Sequence, residues 1–290
     1  MRSLERVERV GERPVSDAPG EDAVARFFDA TAAAADALEP WYEHLDARFR
    51  SILDAAVPAA RRGARALDAG CGTGAHVAML AARGYRVHGL DLSAESLRLA
   101  RARAPEAALA RGDLCALPYA GARFDLVICA GSALDFVRDA PRALRDLGRV
   151  MRPGARLVLE YERRWCLDTG WAVASGFVGD PLGYGLDRAG ARRLLRRPWG
   201  EGIWIDYPGY PRLRLFADVE IDRALRRSGL AVERAWGIHA ITNLVPSTVL
   251  HRPRLPWALR PLYGVLRSAD ALAGRLRAVA AHGVVLARRA

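Results

Sequence analysis

The 290-residue chain carries 44 basic and 33 acidic residues, a formal charge of +11, and is 51% apolar, a balance that suits an ordinary globular protein of one large domain or of a core domain with a smaller appendage. No run of 18 apolar residues predicts a membrane-spanning helix, and the charged start, residues 1–12, lacks the apolar core of a secretory signal. Cys71, Cys115, Cys129 and Cys166 are widely spaced and match neither a metal-ligand nor a pairing pattern, so no metal and a reducing, cytoplasmic setting are expected.

Every basic residue is arginine, and with the heavy use of alanine this points to coding bias. Residues 163–290 nevertheless hold 21 arginines against 10 acids, the whole of the excess. Such a bias reads as solvating surface, or as a basic face for an acidic substrate or an anionic membrane. No interleaved aromatic–basic recognition motif is present, so no nucleic-acid partner is expected.

Residues 1–20, with Gly11, Pro14, Pro19 and Gly20 among charges, read as a flexible tail. Residues 21–60 read as two cap helices separated at Pro40, with Val24, Phe27, Phe28, Trp41, Tyr42, Leu45, Phe49 and Ile52 at spacings of three and four. A strand–helix alternation fills 61–162. Strands are predicted at 64–69, 86–90, 107–110, 124–129 and 156–161, the last after an Arg152-Pro153-Gly154 turn. Helices are predicted at 75–83, from a Ser93 N-cap to Ala104, and at 141–151. Alternation of this kind implies a parallel sheet with right-handed crossovers. Residues 163–216, rich in Trp, Tyr, Gly and Pro, read as an acceptor-side insertion. In 217–290 a helix at 219–228 and strands at 230–240 and 283–287 end the sheet around a basic, proline-interrupted insertion at 243–280.

One segment decides the chemistry: Leu67-Asp68-Ala69-Gly70-Cys71-Gly72-Thr73-Gly74, between a strand and a helix. Glycines there permit a sharp positive-φ turn and let a ligand approach the backbone. The following helix offers unpaired N–H groups. Gly70, Gly72 and Ala75 also satisfy the loose dinucleotide fingerprint. A carboxylate, Asp68, directly before the loop suits a ligand bearing an ammonium better than one bearing a diphosphate. S-adenosylmethionine carries an ammonium and a sulfonium. Asp91, at the next strand end, can accept from ribose hydroxyls, and Asp113, after the third strand, from an adenine amino group.

This order of motifs, with Gly89-Leu90-Asp91-Leu92-Ser93, Gly112-Asp113-Leu114, Leu117-Pro118-Tyr119 and Phe124-Asp125-Leu126-Val127, resembles the class I S-adenosylmethionine-dependent methyltransferases, in particular the ubiquinone/menaquinone-methyltransferase-like branch. The resemblance covers about 64–162. It implies an α/β, Rossmann-like doubly wound seven-stranded sheet, mostly parallel with an antiparallel last strand. It also implies donor binding by Asp68, Ala69, Gly70, Gly72, Gly74, Asp91, Leu92, Asp113, Leu114 and Ala130. Similar enzymes carry a Tyr-Asp pair where residues 31–36 read Thr-Ala-Ala-Ala-Ala-Asp, so a ring over the donor would have to come from Trp41 or Tyr42.

Ligands of open parallel sheets bind beyond the carboxyl ends of the strands, which points to 130–136, 160–164 and 239–243. Candidate bases there are His239 first, then Glu160 and Asp135, with Tyr161 and, on the cap helices, His44 as further options. Glu160 could instead pair with Arg163 or Arg164. Trp and Tyr in 163–216 suit a hydrophobic or aromatic acceptor, or fill a small core. The apolar and arginine residues of 243–280 either pack on their own domain or give weak association with an anionic membrane surface. The expected function is methyl transfer from S-adenosylmethionine to a small molecule. The rivals are an NAD(P)-dependent oxidoreductase, for which the absence of lysine removes any Tyr-x-x-x-Lys pair, and a non-catalytic donor-binding regulator.

Overall fold

The computed structural model describes residues 20–35, 39–206, 210–273 and 277–290. The expected tail up to residue 19, together with Asp36, Leu38, Tyr207 and Arg275, lies outside the described residues. In chain order the elements are α1 (Glu21–Thr31), α2 (Pro40–Ala56), β1 (Arg65–Ala69), α3 (Ala75–Ala82), β2 (Arg86–Asp91), α4 (Ala94–Arg103), β3 (Ala108–Arg111) and β4 (Phe124–Cys129). There follow α5 (Ala140–Val150), β5 (Met151–Glu162), α6 (Leu167–Phe177), α7 (Arg188–Arg196), β6 (Ile203–Ile205), β7 (Leu213–Leu215) and α8 (Asp218–Arg227). The chain ends with β8 (Leu230–Ile238), α9 (Ser247–Leu250), α10 (Arg260–Leu272) and β9 (His282–Arg289).

Seven strands form one sheet in the order β3-β2-β1-β4-β5-β9-β8, with β6 and β7 a separate hairpin. β1 to β5 pair in parallel, and β9 runs antiparallel to both of its neighbours. Both faces are covered, so the central strands are apolar on each side. Leu126, Ile128, Val158, Val284 and Leu286 pack with Leu45, Phe49, Ile52 and Leu53 of α2 and with Val77 and Leu80 of α3. The alternate positions, Val127, Leu157, Leu159 and Val285, pack with Leu144 and Leu147 of α5 and Ile221 and Leu225 of α8. The two helices expected as caps therefore divide: α2 forms a layer of the core, and only α1 crosses the carboxyl edge of the sheet.

Ser93 caps α4 as its sequence predicts, accepting from the Ser96 amide. The Arg152-Pro153-Gly154 tract is not a free turn. It lies inside β5, where the register against β4 shifts between Phe124 and Leu126 and Gly154 takes φ +78°, the geometry of a bulge. The insertion after β5 holds α6, α7 and the small hairpin. Among the described residues no helix is long and apolar enough to cross a membrane.

Candidate active site

The three loop glycines differ in what their backbones need. Gly70 (φ +85°) has Ala133 so close that an added Cβ would lie 2.4 Å from its Cβ. Gly74 (φ +84°) is the N-cap of α3 and lies against Ala100 of α4, whose Cα would be 2.9 Å away. Gly72 (φ +49°) has nothing within 4 Å of that position, so its bare backbone faces open space. Two glycines thus seal the loop against the fold and the third leaves room for a ligand.

Asp68 is fully buried beneath this loop, and neither carboxylate oxygen has a hydrogen-bond partner among the described residues. Burial, reinforced by the charge of Asp91, pushes its carboxyl up to about 7. A buried acceptor pair without donors fits a cationic, hydrogen-donating group such as an ammonium, and does not fit the diphosphate required by the dinucleotide rival. Asp91 accepts from the Gly72 amide (2.8 Å) and the Ser93 amide (2.9 Å), which ties the glycine loop to the end of β2. Burial holds Asp91 above its ordinary value despite those donors. Asp113 accepts from the Cys115 amide, which turns the chain at Leu114. The Leu92 carbonyl is engaged by Arg111, and Ala130 is buried at the end of β4. The expected donor-binding residues thus gather along one stretch of the carboxyl edge: β1 pairs with β2 on one side and β4 on the other.

α1 spans this edge. Its Asp29 accepts from the Ser93 hydroxyl (2.7 Å) and the Glu95 amide (3.0 Å), and its Phe28 packs on Phe136 after β4, ring centroids 5.2 Å apart. The hydrogen bond from Ser93 holds the Asp29 carboxyl below its usual range. Nothing local in the sequence around Asp29 marks this role.

Beside the end of β5 lies a cavity of about 740 Å³, bounded by the ends of α2 and β5, by α6, α7 and α9, and by the hairpin. Aromatic side chains, Trp41, Tyr42, Tyr184, Trp204 and Tyr210, make much of its wall. None of the expected bases lines it. His239 is fully buried and stacked on Trp41 at 3.7 Å. Its Nε2 lies 3.2 Å from the Trp41 carbonyl, which can only accept, so Nε2 carries the proton and Nδ1 accepts from the Thr242 hydroxyl at 2.8 Å. Burial, with His282 and His44 nearby, holds this imidazole well below its ordinary value. The expectation of His239 as base is therefore corrected: both ring nitrogens are spent inside the core.

Glu160 and Asp135 are likewise internal. Glu160 accepts from the Ser132 amide (2.9 Å) and from Nδ1 of His282, not from Arg163 or Arg164. Asp135, raised by burial and by the charges of Glu162 and Glu160, accepts the backbone N–H of Glu162 (3.1 Å). Tyr161 donates to Asp218, and His44 pairs with Asp270. Beside Asp135 and Ser132 stands a carboxylate that sequence reasoning passed over, Glu162, which does line the cavity and accepts from the Ser132 hydroxyl (3.1 Å). Burial lifts Glu162 above its ordinary value, partly offset by His282. His282 also lines the cavity, its burial outweighed by the hydrogen bond and charge of Glu160, which raise it. Period-two alternation along β5 was the available signal, since it puts Glu162 on the face of Glu160 at the strand end. Among the described residues no group of three or more His, Cys, Asp or Glu could hold a metal ion.

A family model described as a methyltransferase domain matches residues 67–159. The chain is 38% identical over 131 residues to a malonyl-[acyl-carrier protein] O-methyltransferase of Enterobacter lignolyticus, covering 44% of this chain and 51% of that one. It is 34% identical over 151 residues to a 2-phytyl-1,4-naphtoquinone methyltransferase of Nostoc punctiforme, covering 48% and 65%. The match thus spans about half to two thirds of these relatives' length. A solved S-adenosylmethionine-dependent methyltransferase from Mesorhizobium loti shares the fold at TM-score 0.53 and 21% identity, over 83% of this chain and 98% of that one.

Proposed function

We propose that the chain, whose residues 67–159 match a methyltransferase-domain model, transfers the methyl group of S-adenosylmethionine to an oxygen or carbon nucleophile of a small aromatic acceptor held in the 740 Å³ cavity. One observation supports the reading: a single short loop runs from the strand end beside Asp68 to the carboxylates at the end of β5. Ala130 ends β4 beside the strand of Asp68, and two residues on Ser132 bonds Glu160 through its amide and Glu162 through its hydroxyl. The donor, when bound, supplies an electrophilic methyl on a sulfonium. Asp68 would hold its ammonium, Asp91 its ribose, and the Gly72 backbone would leave it space. Alignment of nucleophile and methyl supplies much of the acceleration. Glu162 would take the acceptor's proton, and its raised pKa moves it toward the neutral range where a general base works well. A malonyl group and a naphthoquinone are named for the relatives; the ring-lined wall favours the aromatic of the two classes here. The test is turnover of the methyl donor across a panel of phenols, hydroquinones and malonyl thioesters with wild type and Glu162→Gln. The variant should lose about 10²–10⁴-fold in kcat while binding S-adenosylhomocysteine as before. An unchanged kcat removes Glu162 from the chemistry.

Association with an anionic membrane surface has one favouring observation. α10 packs through Tyr263, Leu266 and Asp270, yet another side carries Leu262, Val265 (66% exposed) and Leu272 (89%), after Trp257 (83%). Arg252, Arg254 and Arg260 flank that stripe, a composition suited to the interface of an acidic bilayer. Sedimentation with phosphatidylglycerol vesicles, lost in Trp257→Ser/Val265→Ser, is the expected result; equal sedimentation of both proteins would refute it.

A further inference from the structure

The acceptor cavity has an outer arm that its aromatic wall does not explain. α7 places Arg192, Arg193, Arg196 and Arg197, all exposed, along a groove of about 500 Å³, and the rest of the groove's lining is Ala189 and Pro198. Arg193 and Arg197 also line the acceptor cavity, so cavity and groove share a wall. Among the described residues none of these four guanidinium groups forms an ion pair, although ordinary solvated helices alternate their signs. On α7 Arg192 and Arg196 are like charges at i,i+4 spacing, an arrangement that costs stability unless something neutralises it, and Arg197 follows directly as the extended C-cap.

The cavity's own acids do not supply that neutralisation. Glu39 pairs with His251, Glu162 accepts from Ser132, Asp168 accepts from Tyr184 and Ser247, Asp187 caps α7, and Asp206 lies 3.6 Å from Arg212. The backbone of the arm is held firmly. Arg164, fully buried, donates to the carbonyls of Leu194, Arg197, Pro198 and Glu201, and Trp165 stacks on Trp199 at 4.0 Å. A buried cation bonded to four carbonyls in and after the last turn of α7 fixes the segment from which Arg193 and Arg197 project.

We propose that Arg193 and Arg197 bind an anionic group of the acceptor, a phosphate, sulfate or carboxylate, so that the substrate is an aromatic molecule with its nucleophile toward Glu162 and its negative charge at the α7 arm. The assignment of the cavity to an acceptor rests on the function proposed above; the binding preference does not. Planar guanidinium pairs suit such groups because they offer paired donors to adjacent oxygens. The contact is partly solvated and therefore weakens with added salt.

The test uses the full chain and two neutral-against-anionic probes of one ring, 1-naphthol and 1-naphthyl phosphate, followed by tryptophan fluorescence. S-adenosylhomocysteine binding is measured in the same samples. Wild type should bind the phosphate at least about tenfold more tightly than the naphthol, a difference of about 1.4 kcal/mol. Arg193→Ser/Arg197→Ser should reduce that preference to under about threefold. Arg193→Lys/Arg197→Lys, which keeps the charge, should restore part of it, and Arg226→Ser/Arg227→Ser, the same charge change on α8, should leave it intact. Equal binding of the two probes by wild type overturns the proposal, as does a preference that survives Arg193→Ser/Arg197→Ser or falls equally in the α8 variant. Should the Arg193/Arg197 pair govern binding to phosphatidylglycerol vesicles and not the naphthyl preference, the arm is a membrane contact and the proposal fails. If wild type binds naphthyl phosphate as described but not S-adenosylhomocysteine, the methyl-donor reading falls and the anion site stands.

Discussion

Replacing Asp68 with asparagine should stabilise the free protein while removing donor binding. In the folded chain this carboxyl is fully buried and lifted from 3.8 to about 7, so the native state binds its proton more tightly than the unfolded chain does. Native stability is therefore lost as pH rises from about 4 through about 7 and is not regained above that. At 1.36 kcal/mol per pH unit the difference reaches about 4 kcal/mol above pH 7 and is about 1.6 kcal/mol at pH 5. Asparagine keeps the shape without the charge, so the gain in Asp68→Asn should grow with pH along that course. In a protein of this size about 2–4 °C of melting temperature accompanies each kcal/mol. Differential scanning fluorimetry of the ligand-free proteins from pH 5 to 8.5 should show the variant melting several degrees higher at pH 8.5 and much less so at pH 5. Calorimetry at pH 8 should show S-adenosylhomocysteine binding lost. In the wild type the same ligand should bind more weakly as pH falls below about 7, because its ammonium needs the ionised carboxylate. A melting difference that does not change with pH, or an asparagine variant that binds normally, would refute the argument.

Two loop glycines should respond in opposite ways. Gly74→Val forces a side chain onto positive φ and onto the backbone of Ala100, and should lower stability by about 2–4 kcal/mol in urea titration. Gly72→Ala meets nothing within 4 Å, so it should fold at a cost of about 1 kcal/mol yet bind S-adenosylhomocysteine poorly. Asp218→Asn strips the partner from the nearly buried Arg163, which it engages at 2.8 Å through both oxygens, and also weakens the bond from Tyr161. A loss of about 2–4 kcal/mol is expected, read by the same titration.

The strand ends and glycine loop proposed to hold the donor are legible because their signals are local. Asp68, Gly70, Gly72, Gly74 and Asp91 lie at strand ends and helix starts, where spacing in sequence is spacing in space. The acceptor half depends on distant partners. His239 does stand near the end of β8, but Trp41, 198 residues away in the chain, stacks on it and its carbonyl accepts the Nε2–H hydrogen bond. Glu160, which reads as a candidate base or else as a partner of Arg163 or Arg164, instead meets His282, brought to it by the antiparallel β5–β9 pairing. Arg163 goes to Asp218 and Arg164 to the backbone around the end of α7, choices made by the insertion's fold. The bulge at Gly154 was hidden because Arg-Pro-Gly also reads as a turn.

The most direct test of the central claim is calorimetric titration of the intact protein with S-adenosylhomocysteine, alongside NADH and with Asp91→Ala as comparison. The account predicts binding in about the micromolar range for S-adenosylhomocysteine alone, weakened at least about tenfold in the variant, since a hydrogen bond to a charged group contributes about 1.5–3 kcal/mol. A folded wild-type protein that binds no S-adenosylhomocysteine, or binds NADH in its place, would contradict it.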